Sequence, residues 1–170
     1  RVVVSALRDP LTRLYNKRYF DERLDAELRF AHRHGSQLAL LMIDVDHFKR
    51  VNDQRGHLVG DTVLTAVAQT LARAIRNEDV VARVGGEEFV VILRATALDQ
   101  ALLLGERLRR KVEELRIEHD GGGEPLRVTV SIGHGVFPLP PYRVSVAPEQ
   151  AVNLADMALY TAKSQGRNRA

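Results

Sequence analysis

Leu38-Ala39-Leu40-Leu41-Met42-Ile43-Asp44-Val45-Asp46 is an almost unbroken apolar run that ends on two carboxylates. A run without polar alternation predicts a central strand over Leu38–Val45 buried on both faces, since a strand with one wet face would alternate. Downstream, Val80–Val84 and Phe89–Leu93 are short β-prone runs joined by Gly85-Gly86-Glu87-Glu88, which predicts a hairpin whose glycines tolerate positive φ. Leu126–Phe137 predicts another strand after the Gly121-Gly122-Gly123 turn.

Helical spacing supplies the covering layers. Phe20, Leu24, Leu28 and Ala31 place a helix within residues 17–34, which Gly35 stops. Val63, Leu64, Val67, Ala68, Leu71 and Ile75 predict a second over Val59–Arg76. Leu98–Leu115 is a third, and Pro148 to about Ser164 a fourth, following a loop marked by Pro138, Pro140 and Pro141. The order carries no repeat period and no internal domain boundary, and it reads as an α+β sheet with helices packed on it.

The 170 residues are the size of one domain, and a hydrophobic content of 45% fills one core. With 25 basic against 22 acidic residues, neither a disordered acidic tail nor a strongly basic binder of nucleic-acid polymers is indicated. The chain has no cysteine, which removes disulfides, thiolate metal sites and thiol nucleophiles and fits a reducing compartment. No stretch has the length of a membrane span and no signal peptide is visible, so a soluble, cytoplasmic domain without direct membrane insertion is expected. The short apolar lead from Val2 to Leu7 suggests the end of an upstream linker or signalling helix over residues 1–8, with the domain proper at 9–170.

Asp44 is expected where a buried strand emerges, and Glu87 in a tight turn between strands that can lie beside it. Two converging carboxylates next to a glycine turn can hold a hard divalent cation and leave positions open for phosphate oxygens. Gly85 and Gly86 would leave room for a polyphosphate to approach the backbone. Simpler readings stand beside these. Gly-Gly is a common hairpin turn, Glu87 and Glu88 read equally as solvated turn residues, and Asp44 and Asp46 as turn formers bonded to local amides.

Gly85-Gly86-Glu87-Glu88-Phe89 resembles the signature of the GGDEF diguanylate cyclase family in its GGEEF form. The resemblance extends along the chain: Asp9-Pro10-Leu11-Thr12-Arg13-Leu14-Tyr15-Asn16 resembles the family's opening D-x-L-T-x-L-x-N, and Asp44-Val45-Asp46-His47-Phe48-Lys49 leads to Asn52-Asp53. Gly56-His57, Gly60-Asp61 and Ser131-Ile132-Gly133 follow, and Ala158-Leu159-Tyr160, Ala162-Lys163 and Gly166-Arg167-Asn168 close it.

The resemblance implies a mostly antiparallel sheet of about five strands flanked by helices, related to the palm of nucleotidyl cyclases and polymerases. It implies condensation of two GTP into cyclic di-GMP, with magnesium or manganese held by the Asp44 carboxylate, the Val45 carbonyl and Glu87, and with Glu88 assisting a metal or the proton transfer. Asn52 and Asp61 would read guanine, an acceptor and donor set suited to its N1 and N2 protons. For Asp61 the alternative is a cap on a helix beginning near Thr62. The backbone amides of His47, Phe48 and Lys49 would cradle phosphates, and Lys163 and Arg167 would bind their oxygens, although both also suit an ordinary helix C-terminus. Asp46 has no implied ligand role and reads as a local structural acid.

Arg76-Asn77-Glu78-Asp79 fits the family's R-x-x-D inhibitory motif, so Arg76 and Asp79, with Arg107 completing the site, are expected to bind cyclic di-GMP as a feedback ligand. The alternative there is a basic helix end followed by a turn aspartate. Because one domain holds one GTP, catalysis implies a two-fold homodimer, controlled by an upstream sensor or receiver. The rival function is a catalytically silent domain that binds GTP or cyclic di-GMP. Of the six histidines, His32 and His34 read as solvated and His57 as structural, with no partner set for zinc. His134 departs from the small or aliphatic residue the family has after Ser-Ile-Gly, which puts local packing in question.

Overall fold

The structure, a computed structural model, describes residues 6–138 and 146–170. The start of the apolar lead and the Pro140-Pro141 part of the loop lie outside the described residues. Four strands, β1 (Leu38–Val45), β2 (Val80–Arg83), β3 (Glu88–Arg94) and β4 (Val130–Phe137), form one antiparallel sheet in the order β2-β3-β1-β4. Every residue of β1 is buried. Its odd-numbered side chains, among them Leu41 and Ile43, join a core with α3 (His57–Ala74) and α4 (Leu98–Glu113). Its even-numbered side chains, Leu40 and Met42, join a second core with α1 (Lys17–His34) and α5 (Pro148–Ser164). Helices on both faces are what the unalternated run required.

The sheet has four strands where the family resemblance implied about five. After α4 the chain forms a single bridge, Ile117 with Leu126, closed by hydrogen bonds of 2.9 and 2.8 Å, and no longer ladder. β4 likewise starts at Val130 instead of Leu126. Its partner β1 ends at Val45, paired with Val130; one further hydrogen bond, from the Asp46 amide to the Thr129 carbonyl at 2.9 Å, follows before the chain turns into His47 and α2.

α1 keeps its expected bounds: the Asn16 side chain accepts from the Tyr19 amide at its start, and Gly35, at φ 64°, ends it. A further helix, α2 (Phe48–Arg55), stands where the sequence reading had only a phosphate-cradling segment. Gly56, at φ 89°, separates α2 from α3, which begins at His57 instead of Val59. A side chain at position 60 would collide with the Asn52 side chain crossing it, so glycine there lets the two helices touch. Gly133 plays the same part on β4, where a Cβ would strike the Leu159 amide and Ala155 carbonyl of α5.

Candidate functional site

Asp44 lies one residue from the end of β1 on its α5 side and is 5% exposed. Glu88 is its direct partner in the β1–β3 register, so the two carboxylates project from the same face of the sheet. Glu87 precedes β3 in the turn, and its carbonyl accepts the Val45 amide at 3.2 Å, which pins the turn to the end of β1. From the last turn of α5, Lys163 Nζ donates to Asp44 Oδ2 at 2.6 Å. Strand ends and a helix end thus bring together residues scattered from 44 to 163.

The electrostatics of this corner are acidic. Burial, then the charge and hydrogen bonding of Asp44, push the Glu87 carboxyl above its usual value, with Lys163 opposing and Glu88 adding to the rise. Glu88 is pushed up by burial and by the charges of Asp44 and Asp156, again against Lys163. Asp156 is also raised by burial, with Lys163 opposing. The sequence reading missed Asp156. Its signal was the seven-residue spacing to Lys163, which places both on one side of α5.

Glu87 and Glu88, whose proton affinity the charge of Asp44 raises, are carboxylates that a divalent cation would relieve, so the donor set fits a hard metal. Among the described residues no group of three or more His, Cys, Asp or Glu side chains could hold a metal ion. A cation here would therefore rest on Asp44, Glu87 and a backbone carbonyl such as that of Val45, taking its other ligands from phosphate or water. That is the usual economy of magnesium sites.

Neither hairpin glycine has positive φ, contrary to expectation. A Cβ at 85 would lie 2.5 Å from Glu88 Oε1 and 3.3 Å from its Cβ, so a side chain there would displace the Glu88 carboxylate, whereas position 86 is open, with nothing within 4 Å. The hairpin carbonyls are instead held by Arg83, which the sequence reading did not single out. Its guanidinium donates to Gly85 O at 3.2 Å and Gly86 O at 2.8 Å, and to both oxygens of Asp9 at 3.2 Å.

On the neighbouring side, His47 is the N-cap of α2 at φ 56°, so the amides of Phe48 and Lys49 belong to the helix's first turn, where intrahelical acceptors are lacking. Lys49 is exposed and pairs with Asp53 at 3.3 Å. Asn52 Oδ1 is buried with no hydrogen-bond partner among the described residues and lies against Gly60, next in sequence to the exposed Asp61. The helix pair thus brings together the two residues expected to read a base. Asp61 lies inside α3 and does not cap it, since the N-cap is Gly56.

Asp46 is a structural acid, but its partners are distant in sequence and not the local amides expected of a turn former. Buried, it accepts from the hydroxyls of Thr129 and Ser131 at 2.7 Å each and from the Asn168 amide at 3.0 Å. Asn168 in turn accepts from Arg109 at 2.9 Å and donates to Glu113 at 2.6 Å. This network fixes the turn in which Arg167, exposed and at φ 61°, follows α5.

Arg76 and Asp79 stand elsewhere. Asp79 is buried and accepts from the Arg76 amide, Nε and NH2, each at 3.0 Å, while Arg76 also donates to Arg94 O at 3.1 Å. That contact is at the other end of β3 from Glu88, about 20 Å away at the rise of a strand. Arg107 is exposed on α4 and makes no hydrogen bond with either residue among the described contacts.

Known proteins resemble this chain in sequence and in fold. Diguanylate cyclase DgcP of Pseudomonas aeruginosa is 45% identical over 97% of this chain, which spans 24% of that relative's length. The structure of diguanylate cyclase SiaD in complex with its activator SiaC, also from P. aeruginosa, covers 99% of this chain and 62% of its own at a TM-score of 0.90 and 40% identity. The GGDEF domain of DgcB from Caulobacter crescentus, in complex with c-di-GMP, covers 96% of this chain and 91% of its own at a TM-score of 0.89 and 34% identity. The profile of the family described as "Diguanylate cyclase, GGDEF domain" matches residues 6–169, and this chain therefore belongs to the GGDEF domain family.

Proposed function

We propose that this chain is the catalytic domain of a diguanylate cyclase, condensing two GTP into cyclic di-GMP with release of two pyrophosphates. The observation that carries this reading is the convergence of Asp44, Glu87 and Glu88 at one corner of the sheet beneath Lys163. The DgcP and SiaD names and the DgcB complex support it.

In each half-reaction the 3′-oxygen of one GTP forms a bond to the α-phosphorus of the other, and the bond from that phosphorus to the bridging oxygen of the leaving pyrophosphate breaks. Asn52 and Asp61 select guanine, the amides of residues 47–49 receive phosphate oxygens, and Lys163 and Arg167 hold the triphosphate as cations. Glu88, with its raised proton affinity, is the group placed to take up the proton of the attacking hydroxyl. Asp44, Glu87 and the Val45 carbonyl hold magnesium or manganese, which when bound supplies charge neutralisation at the phosphates. One domain presents one GTP, so two copies meet about a two-fold axis to close the ring. Arg76, Asp79 and Arg107 form the product-binding site for feedback, and an upstream regulatory domain governs the encounter. The domain acts in the cytoplasm, where GTP is available; among the described residues no helix is long and apolar enough to cross a membrane.

Incubation of the protein with GTP and magnesium at rising protein concentration tests this. Cyclic di-GMP and pyrophosphate should appear in a ratio of one to two, with a specific activity that grows with concentration. GTP binding without product at concentrations where the protein is dimeric would establish the silent binding module instead.

A further inference from the structure

Lys163 donates to the Asp44 oxygen that a cation at this corner would use. Asp44's side chain is 7% exposed and that of Lys163 33%, so the ammonium closes the open side of a buried carboxylate. The helix that carries Lys163 is fixed, because Gly133 admits the α5 backbone to contact. Its four-carbon stem is not fixed, and its partly exposed end can turn toward phosphate oxygens without movement of α5.

We propose that Lys163 is a built-in counter-ion for Asp44, competing with the divalent cation for that carboxylate until the triphosphate draws the ammonium away. This rests on the cation assignment made under the proposed function and adds a coupling to it. An ammonium within hydrogen-bonding distance of Asp44 repels a divalent ion at the same oxygen, and a polyphosphate that binds Lys163 removes that repulsion. Metal and nucleotide then favour each other's binding, and by linkage each does so to the same degree. In the absence of nucleotide Asp44 keeps its ammonium partner without metal, so the cation is recruited together with the substrate it serves.

The test is manganese binding to nucleotide-free protein, read as loss of the free manganese signal in electron paramagnetic resonance. Wild type should bind weakly, Lys163→Arg about as weakly, and Lys163→Met at least about tenfold more tightly, equivalent to about 1.4 kcal/mol. Asp44→Asn should abolish the binding. If Lys163→Met binds manganese no more tightly than wild type while Asp44→Asn abolishes binding, the counter-ion role is wrong and the cation site stands. If Asp44→Asn binds like wild type, the cation assignment itself is wrong and the counter-ion role falls with it. Circular dichroism melts accompany each titration, and Lys163→Gln replaces Lys163→Met if the latter is unfolded at the titration temperature.

Discussion

Asp9 and Arg83 are joined side chain to side chain across 74 residues, and the same guanidinium reaches the Gly86 carbonyl at 2.8 Å. One planar group thereby ties the start of the domain to the hairpin that carries Glu87. Arg83→Ala should cost on the order of 2 kcal/mol in stability, since it strands a partly buried carboxylate, and should lower kcat at least about tenfold by loosening the hairpin. Lys at 83 should restore little, because a single point charge cannot serve Asp9 and Gly86 in the same plane. Urea melts and initial rates check both. Burial works to raise the Asp9 carboxyl, but hydrogen bonds from Thr12 and Arg83 and the latter's charge hold it below the usual value. The clamp is therefore at full strength above the unfolded carboxylate pKa and is lost as pH falls through the depressed folded one.

Glu87→Gln should abolish cyclic di-GMP synthesis while raising the melting temperature of the metal-free protein near neutral pH, by about 1–3 °C. The sign follows from the raised Glu87 carboxyl: the folded state holds that proton more tightly than the unfolded chain, so the ionised side chain lowers stability as pH rises past the unfolded pKa. Glutamine removes the charge that burial and Asp44 oppose. A folded Glu87→Gln protein with near-normal synthesis at saturating magnesium would remove Glu87 from the metal set.

Asp61→Ala should weaken GTP binding more than ATP binding and leave stability within about 0.5 kcal/mol, because the residue is exposed in the interior of α3 and caps nothing. Competition binding with the two nucleotides, beside a thermal melt, separates these effects. Equal losses for both nucleotides would take Asp61 out of base recognition.

Arg76→Ala should relieve inhibition by cyclic di-GMP while catalysis persists, since β3 separates it from the carboxylate corner. Loss of a charge-assisted hydrogen bond of about 1.5–3 kcal/mol corresponds to roughly a ten- to hundredfold weaker inhibition. Asp79→Ala should relieve it too but also destabilise the turn between α3 and β2, where its buried carboxylate accepts the Arg76 amide. Initial rates against added cyclic di-GMP, at fixed dimer concentration, read the effect. Unchanged inhibition curves in both variants, with a feedback-inhibited wild type, would make the pair purely structural.

His134 faces α4 with Nε2 pressed onto Gly105 and without a well-formed hydrogen bond among the described residues, and burial, opposed only by the Ala101 backbone, pushes its imidazole down to about 4. It is thus neutral in the folded state and charged more readily when unfolded. Its contribution is fully present above the unfolded pKa near 6.5 and falls away as pH drops toward 4, a loss on the order of 3 kcal/mol. His134→Val should flatten the pH dependence of stability across that window. A slope equal to wild type's in denaturant melts from pH 4 to 7 would assign it to other groups.

The unalternated run 38–45 determined by itself that the sheet is covered on both faces, because eight successive buried side chains leave no face for water. Helical periodicity likewise determined α1, α3, α4 and α5 to within a few residues, the burial stripe being a local property of the chain. The ordered motifs sufficed for the family, and Asp44, Glu87 and Lys163 could be named without coordinates. Tertiary structure decided the rest. Whether a fifth strand exists depends on what residues 117–129 find to pair with in the fold, a single bridge between Ile117 and Leu126, which their own sequence does not encode. Arg83, Asp156 and the Asp46–Asn168 bond act between segments distant in sequence, and a charge or hydrogen bond has meaning only once its partner's position is known. Gly85 leaves room for a neighbour's carboxylate and does not serve a positive φ of its own, a distinction that spacing cannot express because it arises from packing.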